Sequence, residues 1–371
     1  MHREMGGNNW ESLLRRPCLE AGEPPRNATD SGRTILLTGA GGCIGSALAK
    51  VIITSDPRLL ILLDHSEHNL HRIQTELAAI AGRVPPIVIL GDVCDGALLA
   101  DIFETYRPEI IYHAAAFKHV PLMETNPIAA VRNNAMGTCL LAALAVKYEA
   151  TSLLLISTDK AVNPHSVMGA SKRVAELVLL RWTCPRTSMK VVRLGNVLGS
   201  PGSVVPLFLQ QISRGGPVTV THPDVGRYLL TVSEAVALVL AAASLEGGGC
   251  IFIPALGEPV KILDLATHLI RVAGFVPEKD IPIVFTGLRP GDKMSEDLAL
   301  DRESPEPTSD GRLYRASSLN ISPDEFDAEM RELAESVRQR ETASLLEVLC
   351  RMVPEYRPSE TLLDLVKRSP A

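Results

Sequence analysis

Thr34-Ile-Leu-Leu-Thr-Gly-Ala-Gly-Gly-Cys-Ile-Gly45 is the stretch on which the fold turns. Thr34–Thr38 is a short apolar run bounded by glycine, which reads as a buried strand. The Gly39-x-x-Gly42-x-x-Gly45 spacing then reads as a turn into a helix, with Cys43 and Ile44 counted among the cofactor-binding residues. Without Cβ atoms the backbone turns tightly and can approach a pyrophosphate, while the helix N-terminus offers its free N–H groups. Nineteen residues after Gly45, Asp64 closes the next apolar run, Leu59–Asp64. A carboxylate there can accept both ribose hydroxyls of a dinucleotide and repels a 2′-phosphate, so NAD is expected rather than NADP.

Outward from that junction, short apolar runs alternate with helical patterns. Pro86–Leu90, Ile110–Ala114, Ser152–Ser157 and Lys190–Leu194 are further strand candidates; Ile44–Thr54, His68–Ala81 and Ala170–Arg181 are helical. The alternation predicts right-handed βαβ crossovers and an α/β fold, a Rossmann-like doubly wound parallel sheet with ligands at the strands' carboxyl ends. Asp92 and Val93 close the third strand, where Asp92 can accept from an adenine amino group. His113-Ala-Ala-Ala116 ends the fourth, with Ala114 and Ala116 small enough for close cofactor approach. The expected division is a polar leader over 1–32 with an amphipathic piece at Trp10–Arg16, an NAD-binding domain over 33–200, mainly a substrate-binding cap over 201–300, and a linker and helical tail over 301–371, its linker at 302–310 and its amphipathic pattern at 323–349.

The 371 residues are 46% hydrophobic and 22% charged, enough to bury a core, with a formal net charge of -6. That balance argues against a nucleic-acid surface, which needs clustered Lys and Arg. Seven cysteines are scattered singly without C-x-x-C or metal-ligand spacing, so no metal is expected and a reducing cytoplasm fits. No run approaches the ~18 apolar residues of a membrane span, and Met1–Trp10 lacks the apolar core of a signal peptide; the chain reads as soluble.

Chemistry concentrates in Ser157-Thr-Asp-Lys-Ala-Val-Asn-Pro164 and Val167-Met-Gly-Ala-Ser-Lys-Arg173. With them stand Lys118-His-Val-Pro-Leu-Met-Glu124, Asn133-Asn134-x-x-Gly137-Thr138, Arg193-x-Gly-Asn-Val-Leu-Gly-Ser200, Gly216-Pro-Val-Thr-Val-Thr-His-Pro223 and Gly287-Leu-Arg-Pro-Gly291. Together they resemble the capsule-biosynthesis nucleotide-sugar 4,6-dehydratases of the extended short-chain dehydrogenase/reductase family, the UDP-N-acetylglucosamine type. The resemblance runs from about Trp10 to Leu298, with Val353-Pro-Glu-Tyr356 as one further piece. Met168 stands where the wider family has the Tyr of Tyr-x-x-x-Lys, as it does in the long dehydratases; a thioether has no proton to exchange.

The resemblance implies that hydride leaves C4 of the sugar for NAD, C5 loses a proton, water departs and hydride returns to C6. It implies Thr158 on the 4-oxygen, Asp159 as acid to the 6-hydroxyl, Lys160 as C5 base and Lys172 on the nicotinamide ribose. Lys160 must then be neutral, which burial or the neighbouring Lys172 could promote, and Asp159 protonated. Arg227 and Arg289 are the phosphate candidates, with Asn196, Val204 and Asp292 beside the nucleotide. Lys118, His119 and Glu124 are assigned to the sugar side. Pro201, Ala255, Asp292 and Leu194 depart from the family pattern, all on the substrate side. The long relatives carry membrane helices and another domain ahead of the segment like Trp10–Glu20, and this chain is expected to have neither. A homo-oligomer is expected. The competing readings are a nucleotide-sugar epimerase, which would return hydride to C4, and a non-catalytic NAD-binding sensor.

Overall fold

The computed structural model describes residues 13–14, 16–19, 30–80, 85–182, 184–317 and 322–368. Of the Trp10–Arg16 piece, residues 13, 14 and 16 are described: Leu13 and Leu14 are buried and pack on the cap, and Arg16 Nη2 donates to Leu229 O at 3.0 Å.

The strands form where the apolar runs are: β1 (Thr34–Thr38), β2 (Leu59–Asp64), β3 (Ile87–Leu90), β4 (Ile110–His113), β5 (Ser152–Thr158) and β6 (Ser188–Leu194). Every residue of β1 is buried, as a strand covered by helices on both faces requires. The order is β3-β2-β1-β4-β5-β6, all parallel. The direction of winding reverses between β1 and β4, which opens a crevice at their carboxyl ends.

Three features differ from the expected division. Cys250–Pro254, assigned to the cap, continues the main sheet parallel to β6, and Val232–Ser244 packs beside Cys43–Ile52 on the sheet. Leu313–Ser317 then pairs antiparallel with Cys250–Pro254, and Glu306–Pro307, within the expected linker, pairs with Leu313–Ser317. A polar stretch can complete an exposed sheet edge, because an edge strand keeps one side in water. The tail helices Pro323–Gln339 and Thr342–Met352 share the core of helix Val167–Arg181, through Phe326, Leu333, Leu345 and Leu349. The cap keeps its own core: Val205 and Phe208 of helix Val204–Ser213, Leu265 and Leu269 of helix Ile262–Val272, and Val218–Val220 paired with Ile283–Phe285.

Helical residues Pro127–Lys147 are long and apolar enough to cross a membrane by length and composition, but 61% of their most apolar window is buried inside the fold. Ala130, Ala135, Leu141 and Ala145 belong to the main core, so this is a core helix. Its middle, Arg132–Met136, is a π-helical turn. The wider turn turns Asn133 and Asn134 inward, an arrangement typical of functional sites.

Candidate active site

The crevice is lined by Gly39, Gly42, Asp64, Asp92, Val93, Ala114 and Ala116, all singled out in the sequence, together with Leu63, His65, Asn69, Gly91, Ala115, Phe117 and Asn133. Gly39 and Gly45 are sterically required. Gly39 has φ +66, and a Cβ on it would lie 2.6 Å from the Ala115 nitrogen; one on Gly45 would lie 2.0 Å from the Gly39 oxygen. Cys43 and Ile44 start the helix at the glycine turn. Burial pushes the Cys43 thiol up, against the pull of Lys118 and Arg72.

Asp64 is buried at the end of β2, accepting from Gly41 N at 2.8 Å and Ser66 N at 2.9 Å. A carboxylate has about four acceptor positions, so capacity remains toward the crevice. Asp92 accepts from Cys94 N and from Arg132 Nη1, both at 2.9 Å; despite burial, these partners hold its carboxyl below the usual range. His113 is wholly buried between the hydroxyls of Thr38 and Thr138, at 2.7 and 2.9 Å. Burial and Lys172 hold it neutral, at a pKa of about 3.

At the end of β5 the Thr158 hydroxyl donates to Asp159 Oδ1 and Lys160 Nζ donates to the same oxygen, both at 2.9 Å. Lys160 Nζ also donates to Asn196 Oδ1 at 2.8 Å. Among the described residues, no hydrogen-bond partner meets the buried Asp159 Oδ2. Sequence reasoning missed Glu296, which is only 4% exposed and stands 3.7 Å from both Lys160 Nζ and Arg227 Nε. It follows the Gly287–Gly291 motif by a few residues, but nothing local marks it.

The charge expected on Lys160 is corrected. Burial pulls its ammonium down, but Asp159 and Glu296 outweigh that and raise it above its ordinary range. Lys172 is the lysine that burial lowers, to about 8, with its Nζ donating to Ile156 O at 2.8 Å. Met168 is buried in the main core, about one helical turn before Lys172.

Among the residues expected on the substrate side, Arg227 is engaged mainly by backbone: it donates to Gly226 O at 2.6 Å and to Lys293 O at 2.9 Å. Arg289 is 59% exposed and donates through Nε to Asp292 at 2.9 Å, leaving its outer edge open. Lys118 Nζ donates to Pro201 O at 3.0 Å, and the His119 ring packs on Gly202, where a Cβ would fall 2.6 Å from Cε1. Val204 begins the helix behind that loop. Glu124, expected on the sugar side, has both carboxylate oxygens engaged by protein. Its carboxylate is fully buried, accepting from Val167 N at 2.7 Å and from Ser359 Oγ. The N-terminus of a helix, with its unpaired N–H groups, has taken it.

The sequence profile described as polysaccharide biosynthesis protein matches residues 35–318. The chain is 44% identical over 320 residues to the capsular polysaccharide biosynthesis protein CapD of Staphylococcus aureus, covering 85% of this chain and 53% of that one. It is 49% identical over 292 residues to the probable polysaccharide biosynthesis protein EpsC of Bacillus subtilis (strain 168), covering 78% and 48%. The chain thus spans about half the length of these two relatives. Among solved structures, Pen from Bacillus thuringiensis superposes with a TM-score of 0.72 at 27% identity, covering 79% of this chain and 89% of Pen. With its nucleotide-type crevice, its Asp159–Lys160 pair and this match, the chain belongs to the polysaccharide biosynthesis protein family.

Proposed function

We propose that this chain carries out the NAD-dependent 4,6-dehydration of a UDP-N-acetylhexosamine, with UDP-N-acetylglucosamine the first substrate to test. The product would be a 4-keto-6-deoxy sugar for surface polysaccharide, made in the cytoplasm by a homo-oligomer. The observation that carries this reading is the Asp159–Lys160 pair, an acid and a base on adjacent residues at the end of β5 with a hydrogen bond of 2.9 Å between them.

NAD fits the crevice: the crowded glycine turn leaves space for a pyrophosphate, Asp64 stands where a ribose would lie, and Ala114 and Ala116 admit close approach. Bound there, NAD supplies a hydride acceptor and donor for the sugar. Cys43, Ile44, Gly39, Gly42, Gly45, Asp92 and Val93 would hold it, with Lys172 on the nicotinamide ribose. Lys118, His119, Asn196, Val204, Arg289 and Asp292 remain for the nucleotide sugar. Arg227 supports it through the Glu296 side.

The ion pair holds one mobile proton. Moving it from Lys160 Nζ to Asp159 yields a neutral amine and a carboxylic acid, the state that elimination needs. Excluding water favours that state, because a buried charge pair loses its solvation. Lys160 then takes the C5 proton, the C5–H electron pair becomes the C5–C6 double bond, and the 6-hydroxyl leaves as water with the proton of Asp159. The pair ends as ammonium and carboxylate, as it began. Thr158 is positioned to hold the sugar's 4-oxygen.

The test is incubation of the purified protein with UDP-N-acetylglucosamine in heavy water. The expected product has lost one water and carries deuterium at C5. An isomer of unchanged mass would favour an epimerase; retained NAD with no sugar turned over would favour a sensor. Lys160→Ala should stall with reduced cofactor and a 4-keto sugar; normal turnover by that variant would remove Lys160 as the base.

A further inference from the structure

The segment that follows Asp159 and Lys160 is tied down from outside at three points. Lys293 Nζ donates to Val162 O at 2.9 Å. The backbone N–H of Arg357 donates to Pro164 O at 2.9 Å. The N–H of Val167 donates to Glu124 Oε1 at 2.7 Å, and the other oxygen of Glu124 accepts from the Ser359 hydroxyl.

One of these ties, from Arg357, comes from a short piece of the tail, and a second, through Glu124, is held by Ser359 of the same piece. That piece is itself anchored: Val353 and Tyr356 are buried in the main core. Glu355 lies 3.0 Å from Arg302 and 3.5 Å from Arg173, the latter on the helix that carries Met168 and Lys172.

Displacement at Val167 would reach Lys160 directly. Gly169 packs against the Lys160 carbonyl so tightly that a Cβ on it would fall 2.2 Å from that oxygen. The helix already has a local cap, since Ser166 Oγ accepts from Gly169 N at 3.1 Å. Glu124 is therefore more than a helix cap. Burying a carboxylate is costly unless its hydrogen bonds are made, and here they join helix Val167–Arg181 to the tail.

We propose that residues 353–359 are part of the reacting centre, with Ser359 and Glu124 as positioning residues that fix segment 160–169 and so hold Lys160 in register with Lys172. Neither touches the sugar. The proposal rests on the reading of Lys160 as base, but the clamp has its own physical readout.

The experiment compares the full-length protein with Ser359→Ala and Ser359→Thr. Hydrogen exchange is followed in peptides covering 160–169 without sugar, and kcat, KM for UDP-N-acetylglucosamine and NAD affinity are measured in parallel. Ser359→Ala is expected to speed exchange in 160–169 by about ten-fold, the scale of one lost hydrogen bond. It should lower kcat by about ten-fold through misplacement of the base, with KM and NAD affinity changing less than about two-fold. Ser359→Thr keeps the hydroxyl and should restore both.

Unchanged exchange in 160–169 would overturn the clamp. So would exchange rising equally throughout the core, or a loss of kcat that Thr does not rescue. Were the unmodified protein to release no water from the sugar, the dehydratase reading would fail, while the exchange comparison would still decide the clamp.

Discussion

Lys160 is surrounded by charge that both stabilises its proton and sets when it is lost. Asp159 and Glu296 face it as anions and Arg227 opposes them, while Lys293 Nζ lies 3.8 Å from Glu296. In the proposed chemistry the pair needs its one proton, so activity should fall at high pH as Lys160 deprotonates. Glu296→Gln removes an anion that raises Lys160, so the alkaline fall should move to lower pH. A pH–rate profile of kcat checks it, and an unmoved alkaline limb would count against the coupling. Met168 is packed in the core and carries no transferable proton, so Met168→Leu should keep most of the turnover, volume being nearly conserved. A collapse of kcat in folded, NAD-bound protein would assign the thioether a direct part.

The glycine turn and the strand ends act as elements rather than as single groups. A Cβ at position 45 would lie 2.0 Å from the Gly39 carbonyl, which is backbone and cannot rotate away. Gly45→Ala should therefore push the helix off the turn and weaken NAD binding by at least about ten-fold, read by titration. Asp64, bound to the Gly41 and Ser66 amides, shapes the same turn. Asp64→Ala should weaken NAD and narrow the preference over NADP. Equal binding of both cofactors by the unmodified protein would contradict its role. These elements were legible because the glycine spacing and the carboxylate after the second strand are local features of the chain.

At the scale of the whole molecule, a buried ion network joins β5 and β6 to helix Val167–Arg181 and to Glu303. Arg193 donates to Glu176 at 2.8 Å and to Glu303 at 2.6 Å, Arg173 donates to Glu176 at 2.7 Å, and Ser157 donates to Glu176 at 2.7 Å. All four charged side chains are buried. Arg193→Met would leave Glu176 and Glu303 without their main partner, at a cost of about 3–5 kcal/mol, measurable by urea unfolding. Burial alone would raise the Glu176 carboxyl, but Arg193, Arg173 and Ser157 hold it at about 2, against an ordinary 4.5. Its folded pKa is depressed, so its contribution is complete above about pH 4.5 and is lost as pH falls toward about 2. The urea midpoint should drop over that window, and Glu176→Gln should show a shallower drop.

The sequence by itself determined the strand–glycine–helix junction, the β1 to β6 alternation and the order of Asp64, Asp92 and Ala114 at successive strand ends. Backbone chemistry and periodicity are written in consecutive residues, and parallel crossovers leave few ways to arrange them. Only the tertiary structure decided which distant groups met. It spent Glu124 on Val167 and Ser359, closed Arg227 with carbonyls, brought Glu296 to Lys160, and carried Cys250–Pro254 and Leu313–Ser317 back into the sheet. A buried carboxylate must find a donor wherever the folded chain supplies one. That donor is fixed by long-range packing, which no local pattern in the sequence records.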